Sequence, residues 1–414
     1  GRRRLLLAGT LLFTAASALC GAAPTLWFLI AARAAQGLGA AVMMALTMAL
    51  ITETVPKEKI GSTMGILGTM SAIGTTMGPS LGGLLIAGPG WRTIFLVNVP
   101  VGLVNLFLAH RYLPPDHLPD VLEKPGADRT SFDSAGMVLL ALTLAAYALA
   151  MTMGRGKFGA INLALLVAAL FGAALFVRVE VAAASPLIQL AMFRDPDLSA
   201  SLGMSTLVST VMMSTLVVGP FYLSRALGLE AAVVGVVLSA GPLVAALVGV
   251  PAGRIVDRFG AQRMTIAGLI GIAAGCIVLS LVPTALGIAG YVTPITCITA
   301  SYALFQAANN TAVMTDVGPR QRGVVSGVLN LSRNLGLISG ASVMGAVFAV
   351  ASGAANAAKA DPEAVATGMR FTFAVAAALI AGALAVAIVA YRRQTSGLIE
   401  NFVNRTAVPG STPR

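Results

Sequence analysis

Long apolar stretches separated by short polar breaks run along the whole chain. Twelve stretches of about 18 residues or more can be recognised, and each is long enough to cross a hydrocarbon core of about 30 Å. Because lipid offers the backbone no hydrogen-bond partners, such stretches are predicted to be α-helices. Their expected bounds are 5–22, 26–51, 62–87, 93–110, 134–153, 160–177, 198–223, 231–251, 264–283, 289–311, 324–350 and 371–391. The pattern predicts an all-α polytopic membrane protein.

The polar breaks divide the predicted helices into groups. The longest break, 111–133, is rich in proline and charge and is predicted to be a cytoplasmic linker between two helix bundles. Residues 1–110 would belong to the amino-terminal bundle, 134–197 to two additional central helices and 198–393 to the carboxy-terminal bundle. The polar residues 394–414 are expected to form a disordered cytoplasmic tail.

Composition and charge fit this topology. The 414 residues are 57% hydrophobic and only 10% charged, whereas a soluble chain has roughly 25% charged residues. With the amino terminus in the cytoplasm, nineteen of the 27 Lys and Arg residues lie on the cytoplasmic side and six on the other. Cytoplasmic loops of membrane proteins carry such an excess. The net charge of +11 therefore indicates a cell-membrane protein with a cytoplasmic amino terminus rather than a nucleic-acid partner.

An internal repeat relates two of the predicted helices. GSTMGILGTMSAIGTTMGPSLGG begins at Gly61 and GVVSGVLNLSRNLGLISGASVMG begins at Gly323, and five glycines match without a gap. The pairs are Gly61/Gly323, Gly65/Gly327, Gly74/Gly336, Gly78/Gly340 and Gly83/Gly345. Parallel repeats related by an axis along the membrane normal are one design of secondary transporters, with the substrate site between the halves.

Four motifs carry a resemblance to a known family. GRIVDRFGAQR at 253–263 resembles the cytoplasmic loop signature of the major facilitator superfamily, and RAAQGLGAA at 33–41 resembles its R-x-x-Q-G-x-G-x-A helix motif. GTTMGPSLGG at 74–83 is similar to the antiporter signature G-x-x-x-G-P-x-x-G-G. WRTIFLVNVPVG at 91–102 is similar to a stretch of the 14-helix drug:proton antiporters of the EmrB/QacA type. The resemblance implies a major facilitator fold, with about twelve of fourteen helices present.

The start of the chain supports the same count. The first residues, GRRR, resemble the end of the loop signature, with Gly1 matching Gly260 and Arg4 matching Arg263. We therefore expect the chain to lack the first two helices of a 14-helix protein.

Arg33 is the most informative charged residue, because it lies inside an apolar stretch. A central arginine costs about 2.5–3.5 kcal/mol on insertion scales and usually faces the bundle interior. Since it stays charged, we expect it to favour the ionised form of a nearby carboxylate, so that a proton and a cationic substrate compete for one site. Gln36 shares its face, and Gly37 and Gly39 would let a neighbouring helix approach. The alternative is an arginine bonded to neighbouring backbone carbonyls.

Three further groups of residues are candidates for function. The antiporter signature predicts a conformational hinge at Gly74, Gly78, Pro79, Gly82 and Gly83, with plain close packing as the alternative. The loop signature implies a cytoplasmic latch at Gly253, Asp257, Arg258, Gly260 and Arg263, with a loop that only sets topology as the alternative. Arg333 is a second charge inside an apolar stretch and belongs either to the substrate path or to polar packing.

The resemblance implies a transporter that exports amphipathic drugs or related small molecules in exchange for protons. Its partners would be protons, the lipid bilayer and a small amphipathic substrate, which can be cationic; the sequence identifies no accessory protein. No carboxylate lies deep in any predicted helix, so the proton-carrying acid is expected on the missing helices.

The same sequence bears on other classes of function. A P-loop motif does not occur in the sequence, so no nucleotide cofactor is expected and an ion gradient is favoured. A membrane-embedded enzyme with a metal site is disfavoured, because the two histidines, His110 and His117, lie in or beside the linker. A permease for another solute and a non-transporting fragment stay open.

Overall fold

The fold is known here from a computed structural model. It describes residues 2–56, 59–113, 133–153, 159–183, 186–315, 317–318, 321–353 and 361–406. Most of the predicted linker, residues 114–132, therefore lies outside the described residues. Across the described ranges the regular structure is helical, and no strand occurs.

Thirteen helices account for most of the described chain. They are α1 (Arg2–Gly21), α2 (Leu26–Thr54), α3 (Ile60–Ala87), α4 (Thr93–Leu96), α5 (Asn98–Tyr112), α6 (Ser134–Thr152), α7 (Ala160–Ala182), α8 (Pro196–Phe221), α9 (Ala231–Phe259), α10 (Ala261–Leu281), α11 (Gly287–Thr315), α12 (Arg322–Ala351) and α13 (Pro362–Thr406).

Eleven spans within the described residues are long and apolar enough to cross a membrane, with α4 and α5 counted as one span over Thr93–Tyr112. The helix α3 is a twelfth segment of membrane-spanning length. The helix α3 has 28 residues, a length of roughly 42 Å at 1.5 Å per residue. The predicted all-α membrane fold is therefore confirmed.

Local sequence explains where several helices begin. Thr25 caps α2 by accepting from the Phe28 N–H at 3.3 Å. Asp133 caps α6 by accepting from the Gly136 N–H at 2.8 Å. Asp195 caps α8, where Pro196 occupies the first helical position. These side chains satisfy amide groups that the first helical turn leaves unpaired.

Several observed helices extend beyond their predicted bounds. The helix α9, expected to end at residue 251, continues to Phe259 and therefore contains Asp257 and Arg258, which were expected in a cytoplasmic loop. The helix α13 continues to Thr406, so the first thirteen residues of the stretch expected to be a disordered tail are helical, and residues 407–414 lie outside the described residues. The helix α7 continues to Ala182 and places Glu180 on a buried face, where it is only 3% exposed. Glu180 lies in the last turn of α7, beyond the predicted end of this helix at residue 177.

The carboxy-terminal helices share one apolar core. Val208 of α8, Ile272 of α10, Ile298 of α11 and Phe373 of α13 are fully buried in it. Cys276 is also buried there, whereas Cys297 is exposed. Burial of large side chains gives these helices fixed neighbours, and their inner faces carry the polar residues described below.

A second core joins different parts of the chain at one end of the bundle. It includes Ile60 of α3, Phe176 of α7, Leu202 of α8, Met314 of α11 and Leu329 of α12. The amino end of α3 thus packs against the carboxy-terminal helices. We call this the latch end, because it also contains the residues of the predicted latch.

The first of the two central helices, α6, lies beside α12 and packs against the second, α7. The Tyr147 hydroxyl of α6 forms a hydrogen bond with the Ser339 hydroxyl, and the Ser342 hydroxyl donates to the Met151 carbonyl. Hydrogen bonds between helices in lipid contribute about 0.6 kcal/mol each on average. These contacts hold the central pair to the carboxy-terminal helices.

Candidate functional site

Arg33 is held by a short chain of hydrogen bonds between α2 and α1. Its Nη1 donates to Gln36 Oε1 at 2.5 Å, and Gln36 Nε2 donates to Ser17 Oγ at 2.7 Å. Gln36 is only 3% exposed. The predicted pairing of Arg33 with Gln36 on one helical face is thus present, and Gln36 fixes the orientation of the guanidinium.

The surroundings of Arg33 differ from the expected bundle interior. Among the described residues its side chain is exposed, and its guanidinium lies 5.6 Å from the centre of the Phe95 ring. Its contacts in this part of the chain are an amide oxygen and an aromatic ring, not a carboxylate. The guanidinium therefore has unused donors for a further acceptor.

The glycines after Gln36 behave differently from each other. A methyl group added at Gly39 would lie 2.7 Å from the Phe13 nitrogen and 2.8 Å from the Gly9 carbonyl oxygen, so the backbones of α2 and α1 are in contact there. A methyl group at Gly37 would meet nothing within 4 Å. Only Gly39 therefore serves the close approach expected of both.

The predicted hinge residues Gly74, Gly78, Pro79, Gly82 and Gly83 all lie on α3. Open space surrounds Gly74, because a methyl group there would meet nothing within 4 Å. The surroundings of the other four lie outside the described residues. Their role as a hinge stays a prediction.

The latch residues surround the turn from α9 to α10. Gly260 forms the turn with φ of +88°, a conformation that residues with a side chain rarely adopt. Asp257 lies one turn earlier in α9, and its Oδ2 accepts from the Ser62 N–H at 2.8 Å. A carboxylate at the amino end of α3 satisfies a free amide and interacts favourably with the helix dipole.

Glycines bring α9 and α3 into backbone contact below this hydrogen bond. A methyl group added at Gly253 would lie 2.3 Å from the Gly61 carbonyl oxygen, and one added at Gly65 would lie 2.3 Å from the Gly249 carbonyl oxygen. Such distances leave no room for a side chain. The two halves of the chain are therefore closed against each other at the latch end.

Another hydrogen bond joins the halves at the same end. The Ser326 hydroxyl of α12 donates to the Ala45 carbonyl of α2 at 2.8 Å. Arg258, in contrast, lies over its neighbour Phe259 at 5.3 Å, and Arg263 lines a large cavity of about 1090 Å³. Among the described residues, the contact made by the latch is thus an acid accepting from a backbone amide.

The glycines of the internal repeat are used differently in its two copies. In the first copy Gly61 and Gly65 meet the backbone of α9, whereas a methyl group at Gly323 or Gly327 would meet nothing within 4 Å. In the second copy it is Gly336 and Gly340 that meet the backbone of α8. The repeat therefore places close crossings at different points of related helices.

Arg333 lines a small polar cleft between α8, α11 and α12. The cleft has about 20 Å³ of free space, and its polar lining consists of Ser205, Ser209, Tyr302, Gln306, Asn309, Asn310, Asn330 and Arg333. The sequence singled out Arg333 of this lining. It did not indicate the residues of α8 and α11, because no local sequence pattern in these helices shows that their polar side chains line the same cleft.

Glu180 is a second group that sequence reasoning missed. Its Oε2 accepts from the Ile188 N–H at 3.4 Å. Within the described ranges, Glu180 Oε1 and Asp133 Oδ2 are both buried without a hydrogen-bond partner. Both carboxylates lie against Gly136, where a methyl group would be 2.3 Å from Asp133 Oδ2 and 3.1 Å from Glu180 Oε1. A predicted helix extending beyond residue 177 would have included Glu180.

Comparison with known proteins places this geometry in a family. Residues 1–341 match the family model described as Major Facilitator Superfamily. The chain is 33% identical over 361 residues to the multidrug resistance protein Stp of Mycobacterium tuberculosis, an alignment that covers 84% of this chain and 64% of Stp. It is 28% identical over 353 residues to the riboflavin transporter RibZ of Clostridioides difficile, which covers 84% of this chain and 74% of RibZ.

A solved structure has the same fold. The human organic anion transporter MFSD10 superposes with a TM-score of 0.62 over 94% of this chain and 77% of its own, at 15% identity. That identity shows likeness of fold alone, and the relatives named above are transporters rather than enzymes. The matched family model, the similarity to Stp and the helical fold agree: the chain belongs to the Major Facilitator Superfamily.

Proposed function

We propose that the protein is a proton-coupled secondary transporter that exports amphipathic drugs or related small molecules by alternating access. We infer further that it belongs to the 14-helix drug:proton antiporters of the EmrB/QacA type. The observation that carries the proposal is the crossing of α3 and α9 at Gly61 and Gly253, capped by Asp257. Similarity to Stp supports a drug substrate. The chain spans 64% of the length of Stp, so the activity of the whole protein is part of the proposal.

The latch end supplies the step that alternating access requires. In the described conformation the halves meet at this end, and a substrate cannot pass between α3 and α9. Opening breaks the Asp257 to Ser62 hydrogen bond, whose worth is about 1 kcal/mol by comparison with helix caps. A contact of that size can be exchanged reversibly, which suits a transporter that alternates between two states.

Arg33 supplies the coupling to protons in this proposal. Its guanidinium favours the ionised form of an acid across the path, so that the acid releases its proton when a substrate competes for it. Gln36 and Ser17 hold the guanidinium in place. The acid itself is proposed to lie outside the described residues.

A permease for another solute is the second candidate, and the similarity to the riboflavin transporter RibZ favours it. The family fold accommodates both. The two candidates differ in their substrates, since the sequence leads us to expect a cationic drug and the second candidate could carry a neutral solute. These substrates require different charges along the transport path.

The decisive experiment measures transport by everted membrane vesicles containing the full-length gene product. A respiration-driven proton gradient is followed with the dye 9-amino-6-chloro-2-methoxyacridine, and cationic, neutral and anionic dyes are added in turn. Export in exchange for protons predicts that a substrate partly dissipates the gradient. Vesicles that show neither dye uptake nor dissipation with any member of the panel would contradict the proposal.

Topology gives a separate prediction. We propose that the protein lies in the cell membrane with the amino terminus of this chain in the cytoplasm, which places Ser131 inside and Gly159 outside. A cysteine at Ser131 should react in intact cells only with a membrane-permeable maleimide, because the loop is shielded by the bilayer. A cysteine at Gly159 is the matched control and should react with an impermeable reagent as well. Equal reaction at Ser131 with both reagents would reverse the orientation.

The charge on Asp257 gives a graded prediction. Asp257→Asn keeps an acceptor for the Ser62 N–H but loses the interaction with the α3 dipole, whereas Asp257→Ala loses both. We expect transport per folded molecule to fall several-fold in the first variant and about fivefold or more in the second. Glu230→Gln, at the opposite end of α9, is the control and should be unchanged. Full activity of Asp257→Ala would leave the loop a role in topology only.

A further inference from the structure

The cleft around Arg333 has an unusual balance of charge. Among the ten residues that line it, Arg333 is charged and none is an aspartate or a glutamate. The other polar members are amides and hydroxyls. The cleft therefore carries a net positive charge, which is unfavourable for a cation in a low-dielectric environment.

Two atoms of the lining are buried without a hydrogen-bond partner among the residues that the structure describes. They are Arg333 Nε, a donor, and Asn309 Oδ1, an acceptor. Asn309 is only 2% exposed, and its Nδ2 donates to the Ser201 carbonyl at 3.3 Å. That bond fixes the amide, because exchanging its two ends would place two oxygens together. An unsatisfied buried polar atom costs about 1–3 kcal/mol.

Close packing sets the position of Arg333 within the described part of the chain. The Thr206 hydroxyl of α8 donates to the Ser332 carbonyl at 3.2 Å, and the Thr210 hydroxyl donates to the Gly336 carbonyl at 3.1 Å. A methyl group at Gly336 would lie 2.3 Å from the Thr206 carbonyl oxygen. The α12 backbone on both sides of Arg333 is therefore held against α8.

The free space fits a small head group. About 20 Å³ is available, and one water needs at least roughly 10–15 Å³ of such space. This space admits only a compact group, and the planar fork of an arginine suits the two oxygens of a carboxylate. A group beside it that carries an N–H or O–H would satisfy Asn309.

We propose that this cleft binds the carboxylate of the transported substrate, with Arg333 supplying the charge and Asn309 accepting from a neighbouring donor group. The proposal rests on the proposed transport function and narrows its substrate class. It favours amphipathic carboxylates over the cations expected from the sequence. A protein carboxylate paired with Arg333 from outside the described residues is the competing explanation, and it predicts no preference for anions.

The test uses three probes with one apolar body and different charge. They are 2-naphthoate, 2-naphthamide and 2-naphthylmethylammonium, titrated calorimetrically into the full-length protein in lipid nanodiscs. We expect naphthoate to bind about tenfold more tightly than the ammonium compound, and Arg333→Gln to weaken naphthoate at least about tenfold without changing naphthamide. Arg322→Gln is the matched control, because it removes a cation from the same helix roughly 16 Å away and should change none of the three affinities.

Two further variants keep the test decisive if Arg333→Gln fails to fold. Arg333→Lys retains the charge but not the fork, so we expect an intermediate affinity for naphthoate. Asn309→Asp has nearly the same shape and adds a negative charge, so we expect naphthoate to weaken and the ammonium compound to strengthen.

Three results would overturn the inference. They are equal or tighter binding of the ammonium compound in the wild type, an anion preference that survives in a folded Arg333→Gln variant, and binding of none of the probes. Dye transport by everted vesicles separates this failure from that of the proposed function, since an active transporter without the preference loses only the carboxylate site.

Discussion

Gly253→Ala should reduce transport per folded molecule at least about fivefold, and Gly253→Leu should abolish it. The added methyl group would lie 2.3 Å from the Gly61 carbonyl oxygen, which is backbone and cannot turn away. Overpacking of this kind costs about 1–3 kcal/mol, a shift of about 5–150-fold between two states. The cost falls on the state in which α3 and α9 are closed, so the cycle loses one of its two conformations.

The same helix offers a matched control. A methyl group at Gly235 of α9 would meet nothing within 4 Å, so Gly235→Ala should transport like the wild type. Transport is measured in everted vesicles and divided by the amount of monodisperse protein recovered in detergent.

A distance measurement shows whether the conformation is the cause. Spin labels at Lys59 and Arg254, two exposed residues beside the crossing, should show a short distance population that decreases in Gly253→Ala but not in Gly235→Ala. Normal transport with an unchanged distance distribution in Gly253→Ala would mean that this crossing does not have to close.

Arg33→Ala should cause a comparable loss and move the pH optimum of the remaining transport upward. Without the guanidinium, the proposed acid across the path keeps its proton to higher pH, so release requires a more alkaline medium. Arg33→Lys should be less severe, since it keeps a charge but cannot grip a carboxylate with two hydrogen bonds. Gln36→Leu should shift the profile in the same direction by less, because it frees the guanidinium from its orienting amide.

The measurement is transport per folded molecule against pH for wild type, Arg33→Ala and Arg225→Ala. Arg225 is an exposed arginine in the short π-helical turn after α8 and serves as the control. A merely structural role for Arg33 would lower the yield of folded protein and leave the shape of the profile unchanged. Coinciding profiles after correction for protein amount would therefore remove Arg33 from proton coupling.

The sequence by itself determined the number and order of the helices and the family. Both follow from local information: an apolar stretch of sufficient length must be helical in lipid, and each motif lies within one short segment. Even the turn at Gly260 was indicated by its motif, since only glycine adopts its backbone angle without strain.

The tertiary structure decided which faces and groups meet. Asp257 and Ser62 are 195 positions apart, and the sequence around either residue does not indicate that the two are in contact. Arg33 proved exposed among the described residues, and Glu180 proved buried beyond the predicted end of α7. The cleft of Arg333 combines three helices whose polar residues are individually unremarkable. A helix in lipid is apolar on every side, so its sequence does not reveal which face packs against a neighbour, and small residues and hydrogen bonds settle that choice only when the helices come together.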